Sequence, residues 1–170
     1  AKAAKEPVDM KPSDALSIQK QAKKMFKGRT VGILFAEGSD KASIDKLKGD
    51  IEKAGGSVKL VAPKVGGIPV KGGTLKADEK LEGAPSVVFD AVASVLMPAA
   101  AEKLTKNAAA IQWFADAYAH CKTIGHCKGT QILLDKANVE KDEGVVPWEE
   151  LIKVGPVRHW AREPNVRDLP

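Results

Sequence analysis

The sequence predicts a doubly wound α/β fold, in which helices cover both faces of a mostly parallel sheet. Two observations predict it. Short apolar runs bounded by glycine or proline alternate with segments in which apolar residues recur at helical spacing. A strand–helix–strand unit also lies between residues 31 and 61, and units of about 30 residues of this kind wind right-handed into a parallel sheet.

The chain divides by composition into three parts. Residues 1–29 are polar and lysine-rich, which is typical of a linker or arm. Residues 30–154 carry the alternating pattern and form the predicted α/β domain. Residues 155–170 contain three prolines and no clear period, and they predict a C-terminal arm.

Both arms carry features that predict local structure. Ser13 can cap a short helix that runs toward Phe26 and ends at Gly28. In the C-terminal arm, Trp160 is the one tryptophan, so we expect an extended segment that packs through it against another surface.

The first unit of the domain begins with a continuous apolar run at residues 31–35, as expected of a strand buried on both faces. Ser39 or Asp40 can cap the helix that follows, and two glycines end it. Its apolar stripe consists of Ile44, Leu47, Ile51 and Ala54. Residues 58–61 then form the next strand.

The rest of the domain continues this alternation after an interruption. Residues 63–86 are rich in glycine and proline and predict a hairpin excursion. Residues 89–97 predict a third buried strand, which Pro98 stops. The next helix has one apolar stripe, made of Leu104, Ala108, Ile111, Phe114 or Ala115, Tyr118 and Cys121. The remaining segments are a strand at 123–125, a helix at 129–137 and apolar segments at 145–146 and 151–152.

Composition excludes several classes of protein. The 170 residues are 44% hydrophobic, and no apolar run approaches the roughly 20 residues needed to span a bilayer. The net charge of +5 lies largely in the first 30 residues and accompanies no nucleic-acid motif, so we expect neither a membrane nor a nucleic-acid partner.

Two cysteines and no signal-peptide pattern indicate a reducing compartment, and we expect the cytoplasm. The absence of an initial methionine indicates a fragment or a processed product.

The densest cluster of metal-ligand residue types is His120-Cys121 with His126-Cys127. If the intervening residues form a strand, the two cysteines lie up to about 20 Å apart, at about 3.3 Å per residue. Zinc ligands all lie about 2.0–2.3 Å from one ion, and a disulfide needs Cα atoms within about 7 Å. We therefore predict neither a metal site nor a disulfide.

Cys127 carries a second hypothesis. A strand, this cysteine, Gly129 and a helix follow one another, which is the layout of a nucleophile elbow beside a helix N-terminus. The run Cys127-Lys128-Gly129-Thr130-Gln131 resembles the elbow of the glutamine-amidotransferase-like superfamily, in which relatives place an acid near the thiol where Glu37 stands here. Those hydrolases commonly have histidine after the cysteine, whereas this chain has Lys128. If that part of the chain is extended, His126, which precedes the cysteine, should point to the other side. Without a base the triad is incomplete.

Four stretches in order resemble the C-terminal domain of large-subunit haem catalases. They are Lys11-Pro12-Ser13-Asp14-Ala15-Leu16-Ser17, Arg29-Thr30-Val31-Gly32-Ile33-Leu34, Gly83-Ala84-Pro85-Ser86 with Phe89-Asp90-Ala91-Val92, and Arg158-His159-Trp160-Ala161-Arg162 with Asp168-Leu169-Pro170. The likeness spans essentially the whole chain. It departs from the family at Asp14, where proline is expected, and at Cys127.

The resemblance implies a flavodoxin-like domain whose parent dismutates hydrogen peroxide to water and oxygen as a haem-containing homotetramer. That family binds haem through a tyrosine with an arginine four residues earlier. The only tyrosine here, Tyr118, follows Phe114 at that spacing. The resemblance thus implies no catalytic residue and no cofactor in this chain, with haem in the parent core.

Two functions from different classes follow. The first is structural: the domain packs on the catalase core and sister subunits, stabilises the tetramer, shapes access to the haem channel and, as a linked hypothesis, binds unfolded client proteins as a chaperone-like holdase. The alternative is a cysteine-dependent hydrolase or deglycase-like enzyme that uses Cys127 with Glu37 on a carbonyl or amide substrate.

Overall fold

The computed structural model describes residues 4–166 of the chain. The strands are β1 (Thr30–Phe35), β2 (Ser57–Ala62), β3 (Ile68–Val70), β4 (Gly73–Leu75), β5 (Glu79–Lys80), β6 (Ala91–Val95), β7 (Ile124–His126) and β8 (Val145–Pro147). The α-helices are α1 (Ile18–Gln21), α2 (Lys41–Lys53), α3 (Pro98–Leu104), α4 (Ala108–Ala119), α5 (Gln131–Lys136), α6 (Leu151–Val154) and α7 (Glu163–Val166). Within residues 4–166, none of these helices has the length and apolar character that a membrane span requires.

Six strands form one parallel sheet in the order β5–β2–β1–β6–β7–β8, and β3 pairs with β4 as a separate antiparallel hairpin. In the centre of the sheet, Val31 lies opposite Val58 on one side and Ala91 on the other. The predicted doubly wound fold and its hairpin excursion are confirmed. Because the strands are parallel, the sheet has an amino edge, where the strands begin, and a carboxyl edge, where they end.

The sheet is buried between two layers of helices. Helices α3, α4 and α5 contribute to the apolar core on one face, and α2 and α6 contribute to the core on the other face. Helix α2 forms as predicted, since the Asp40 carboxylate accepts a hydrogen bond from the Ser43 amide at 3.0 Å and so caps its first turn. The continuous burial of β1 and β6 explains why their sequences are apolar without alternation.

The single helix predicted between Leu104 and Cys121 is wrong in two respects. The chain forms two helices, because the Asn107 side chain caps α4 and accepts a hydrogen bond from the Ala109 amide at 2.9 Å. The buried stripe of α4 is also rotated from the predicted one: it contains Ala110, Trp113, Phe114, Ala117 and Tyr118. Trp113, only 1% exposed, is the largest buried side chain that the predicted stripe omits.

The N-terminal helix predicted between Ser13 and Phe26 is shorter than expected. A 3-10 turn (Asp14–Leu16) and α1 replace it, and Ser13 makes no capping hydrogen bond. The cap of α1 is Ser17, whose hydroxyl accepts from the Lys20 amide at 3.2 Å. Phe26 is buried in the core of the α2 face, so the domain core extends into the segment predicted to be an arm.

The C-terminal segment also differs from the extended arm that the sequence predicts. A 3-10 turn (Trp160–Arg162) and α7 form there. His159 and Arg162 are buried, whereas Trp160 remains 38% exposed. Polar side chains rather than the tryptophan therefore fasten this segment to the domain. The part of the predicted arm at 167–170 lies outside the described residues.

Candidate functional site

Cys127 lies at the carboxyl edge of the sheet, directly after β7 and before the 3-10 turn (Lys128–Thr130) that leads into α5. Its backbone has φ −101° and ψ 168°, which is ordinary extended conformation. A nucleophile elbow is a sharp, strained turn. The predicted elbow is therefore wrong in its backbone conformation, although the order of strand, cysteine and helix is as expected.

The Cys127 thiol is tied to the end of β6. Its sulfur lies 3.2 Å from the Leu96 amide nitrogen and 3.1 Å from the Leu96 carbonyl oxygen. The Thr130 hydroxyl lies 3.2 Å from the sulfur and 2.9 Å from the hydroxyl of buried Ser94. These contacts join the turn after β7 to the neighbouring strand.

Gly129 allows the turn after β7 to pack closely against the connection between β6 and α3. A Cβ atom at this position would lie 2.4 Å from the Leu96 carbonyl oxygen and 3.1 Å from the Pro98 nitrogen. Any side chain here would push the turn away from the β6–α3 connection. The two carboxyl-edge loops are consequently packed backbone against backbone at the position where an elbow would present its nucleophile.

The structure does not join Glu37 and Cys127 in one site. Glu37 is exposed after β1 and lines one cavity, Cys127 lines another, and Met97 contributes to both. Within residues 4–166, no histidine hydrogen-bonds the thiol: His126 Nδ1 lies 3.3 Å from the Cys127 carbonyl oxygen, and His120 is exposed at the end of α4. The thiol therefore has no base beside it.

No metal cluster is formed by the residues that the structure describes, since no three His, Cys, Asp or Glu side chains there converge on a common point. Both cysteines are free. Cys121 is buried beyond the end of α4 with a positive φ of 55°, and burial raises the pKa of its thiol. Cys121 thus belongs to the core and faces a different environment from Cys127.

Tyr118 and Phe114 do not fit haem ligation. Tyr118 is 7% exposed in α4, and the guanidinium carbon of Arg162 lies 4.5 Å from its ring centroid. Burial raises the pKa of this phenol, which disfavours the phenolate that would bind iron. Phe114 is fully buried in the core and carries no polar group.

The amino edge of the sheet carries a polar cluster that the sequence did not reveal. Arg162 donates from Nε and Nη2 to the two carboxylate oxygens of Asp142, at 2.5 and 2.7 Å, and from Nη1 to the Lys122 carbonyl at 2.7 Å. Burial alone would raise the pKa of Asp142, but hydrogen bonds from Arg162 and the Gly144 amide hold it below its usual value. The pair attaches the C-terminal segment to the loop before β8.

His159 and Gly144 complete this attachment. The His159 Nε2 atom lies 3.0 Å from the Thr123 hydroxyl, which itself donates to the Gly155 carbonyl at 2.7 Å. Burial lowers the pKa of His159, and the charge of Arg162 lowers it further. A Cβ atom on Gly144 would lie 2.3 Å from the His159 ring, so glycine is the residue that fits there.

Lys122 is a further buried charged group that the sequence did not predict. Its side chain is only 1% exposed, and its ammonium donates to the carbonyls of Ser86 and Phe89 at 2.7 and 2.6 Å. Burial lowers its pKa to about 8, and the nearby charge of Arg158 contributes in the same direction. In the sequence Lys122 lies between Cys121 and Thr123, and this pattern alone does not indicate a buried lysine.

A groove, here called the arm–tail groove, lies beside this cluster. The N-terminal arm and the C-terminal segment form its walls, and it encloses about 530 Å³. Ile18, Met25 and Trp160 line it with side chains that are 77%, 43% and 38% exposed. Its positively charged lining residues are Lys23, Lys27, Arg29 and Arg158. The groove thus combines exposed apolar surface with a basic rim.

Comparison with protein families identifies a match over most of the chain. The model of the C-terminal domain found in long catalases matches residues 27–155. These residues include the complete sheet and α2 to α6.

Curated relatives carry the same likeness along nearly the whole chain. Catalase C of Rhizobium meliloti is 40% identical over 171 residues, which cover 94% of this chain and 24% of that protein. Catalase HPII of Pseudomonas aeruginosa is 27% identical, again over 94% of this chain and 24% of its own length. The chain spans about a quarter of the length of these relatives.

Solved structures share the fold at low sequence identity. A two-domain protein of Anabaena variabilis with DJ-1/ThiJ/PfpI-like and ferritin-like domains gives a TM-score of 0.58 at 19% identity, over 67% of this chain and 34% of that one. Oxidized DJ-1 of Toxoplasma gondii gives 0.58 at 16% identity, over 74% of this chain and 86% of its own. These similarities establish the flavodoxin-like architecture.

Proposed function

Because the chain belongs to the family of C-terminal domains found in long catalases, we propose that it is a non-catalytic domain that packs on a catalase core and on sister subunits. In this proposal the core holds the haem, which supplies the chemistry of hydrogen peroxide dismutation to water and oxygen. The domain stabilises the tetramer and shapes access to the haem channel.

The arm–tail groove is the observation that carries this proposal. Its exposed residues Ile18, Met25 and Trp160 form apolar surface of a kind that soluble domains bury against partners. Two of its positively charged side chains are held in place by Asp90. Arg29 forms an ion pair with the Asp90 carboxylate at 2.8 Å, and Arg158 donates to the Asp90 carbonyl at 2.8 Å. Exposed apolar side chains with a basic rim fit a core surface that is apolar at its centre and acidic at its edge.

The test is made in the intact catalase that contains this chain. Trp160→Lys places a charge in the groove, whereas the control Val65→Lys places one on an exposed apolar residue of the β2–β3 loop, away from it. We expect Trp160→Lys to shorten the half-life of peroxide dismutation at elevated temperature several-fold and to favour dissociation of the tetramer. Equal half-lives and equal sedimentation for the two variants would contradict the proposed docking surface.

A linked activity is chaperone-like binding of unfolding proteins by the detached domain. Leu16 and Ile18 in the arm are 83% and 77% exposed, and a core that covers them in the intact enzyme would leave them free once it is removed. The isolated chain should suppress light scattering of a heat-aggregating client at equimolar ratio, and Leu16→Lys with Ile18→Lys should lose this effect. Scattering unchanged by the unmodified chain would rule the activity out.

The alternative enzymatic function, with Cys127 acting on a carbonyl or amide, receives less support. The thiol has an extended backbone, contacts with Leu96 and Thr130, and no histidine beside it among the described residues. We therefore assign Cys127 to the packing of the carboxyl edge.

A further inference from the structure

The cavity that Glu37 lines has a volume of about 540 Å³ and opens at the carboxyl edge of the sheet. It lies on the opposite side of the domain from the arm–tail groove. The ends of β1 and β2, the hairpin and α3 enclose it. Its volume lies in the range of about 300–1,000 Å³ that is typical of small-molecule sites. This cavity is distinct from the one that Cys127 lines.

The position of this cavity in the sheet favours ligand binding. The chain runs outward from β1 to β2 on one side and then returns to form β6 on the other side of β1. In doubly wound sheets, ligands bind in the crevice outside the carboxyl ends at the point where the strand order reverses. The lining from Ala36 to Gly38 follows β1, and the wall at Met97 follows β6, so the cavity lies at that point.

The interior of the cavity is apolar and its rim is charged. Ala36, Ile68 and Leu104 form a floor that is less than a tenth exposed. Exposed Glu37, Lys64 and Lys103 are the ionised side chains of the lining. Among residues 4–166, neither of the two lysines forms an ion pair with a carboxylate, so both ammonium groups are available at the rim. The rim has a net charge of +1.

We infer that this cavity binds a small organic acid, with an apolar body about the size of a fused aromatic ring pair and a single carboxylate. The apolar floor would accommodate the body, and the ammonium groups of Lys64 and Lys103 would pair with the carboxylate. Glu37 limits the charge of the ligand, because its carboxylate repels a second anionic group. A nucleoside phosphate, with several negative charges, suits this rim less well than a monoanion.

Binding of 2-naphthoate to the chain, followed by its own fluorescence, tests the inference. We expect saturable one-to-one binding that weakens about three- to tenfold in Lys103→Glu, as expected for reversing one exposed charge of a pair. Glu37→Gln should tighten binding about two- to threefold, since it removes a like charge at similar exposure. The neutral analogue 2-naphthamide should bind more weakly than the acid.

Matched variants separate this cavity from other apolar surface. Ala99→Trp fills the cavity from its exposed wall and should abolish saturable binding, whereas Ala108→Trp, on exposed surface outside the lining, should not. Lys106→Glu, also outside the lining, should leave the affinity unchanged. Trp160→Lys should have no effect, which distinguishes this cavity from the arm–tail groove. Lack of saturable binding, or binding that persists in Ala99→Trp, would overturn the inference.

Discussion

Arg162 and Asp142 form a two-pronged ion pair, in which Nε lies 2.5 Å from one carboxylate oxygen and Nη2 lies 2.7 Å from the other. The Arg162 side chain is 2% exposed and that of Asp142 is 28% exposed. The pair joins the C-terminal segment to the loop before β8, and it places Trp160 beside the N-terminal arm. The arm–tail groove therefore depends on a contact between residues 20 positions apart.

Removing the guanidinium should destabilise the domain substantially. Arg162→Met leaves Asp142 unpaired and the Lys122 carbonyl without its donor. Breaking a buried pair costs about 3–5 kcal/mol, and because Asp142 retains some contact with solvent we expect about 2–3 kcal/mol. Chemical denaturation measures the change, with exposed Lys106→Met as the control. A loss no larger than that of the control would contradict this role for Arg162.

Two glycine-to-alanine substitutions should have opposite signs. In Gly144→Ala the new Cβ meets the His159 ring at 2.3 Å and Arg162 Nη2 at 2.4 Å, so the amino-edge cluster must open and stability falls. Gly49→Ala lies within α2 and meets no atom within 4 Å, so it should stabilise by up to about 1 kcal/mol. Thermal unfolding of both variants measures the contrast. If Gly144→Ala and Gly49→Ala had similar melting temperatures, the space between Gly144, His159 and Arg162 would not be tightly packed.

The buried Lys122 predicts a pH dependence of known sign. Its pKa is lowered to about 8 in the folded chain, whereas an unfolded lysine titrates near 10.4. Between these values the unfolded state binds more protons, so this group makes the folded state relatively more stable as pH rises. The difference in free energy of unfolding between the unmodified chain and Lys122→Met should increase by about 2 kcal/mol from pH 7 to pH 10.

Taking this difference removes the contributions of groups that both proteins share. Tyr118 and Cys121, whose pKa values are raised by burial, are among them, and their contribution to stability falls as pH rises. A difference that is flat or that decreases with pH would show that Lys122 is not buried as a cation.

Cys127 should be dispensable for hydrolysis. The thiol contacts Leu96 and Thr130, and no histidine of residues 4–166 hydrogen-bonds it, so any background cleavage of p-nitrophenyl acetate by the chain should be unchanged in Cys127→Ser. The serine hydroxyl retains a hydrogen-bonding group there, and stability should fall by about 1 kcal/mol or less. A rate that drops to the buffer value in Cys127→Ser, with unchanged circular dichroism, would establish the enzymatic alternative.

The sheet could be predicted because its evidence is local. The apolar runs of β1 and β6 and the Asp40 cap of α2 lie within a few residues of the elements they specify. The run from Arg158 to Arg162 likewise marked the C-terminal segment as part of the resemblance to catalase C-terminal domains. It did not indicate which residues that segment contacts. Local sequence signals were therefore sufficient for the central strands and for α2.

Two errors had local causes, the Asn107 cap that divides α3 from α4 and the missing Ser13 cap, and the others lie where contacts between distant residues decide the structure. Trp113 is buried because its indole nitrogen donates to the Ala84 carbonyl at 3.2 Å and its ring meets Phe89, neither of which is near it in sequence. Arg162 is buried because it pairs with Asp142, which lies 20 positions earlier in the sequence. The layout around Cys127 matched an elbow by order alone, and only the backbone angles and the Leu96 contacts reveal a different geometry.

Hydrogen–deuterium exchange of the isolated chain and of the intact catalase that carries it tests the packing of this domain most directly. If the arm–tail groove docks on the core, amides of residues 18–29 and 156–162 should exchange at least about tenfold more slowly in the intact enzyme, because the core raises the free energy of local opening there. Amides around Glu37, at the carboxyl edge, should exchange equally in both. Equal exchange at the groove, or protection confined to the carboxyl edge, would contradict the account.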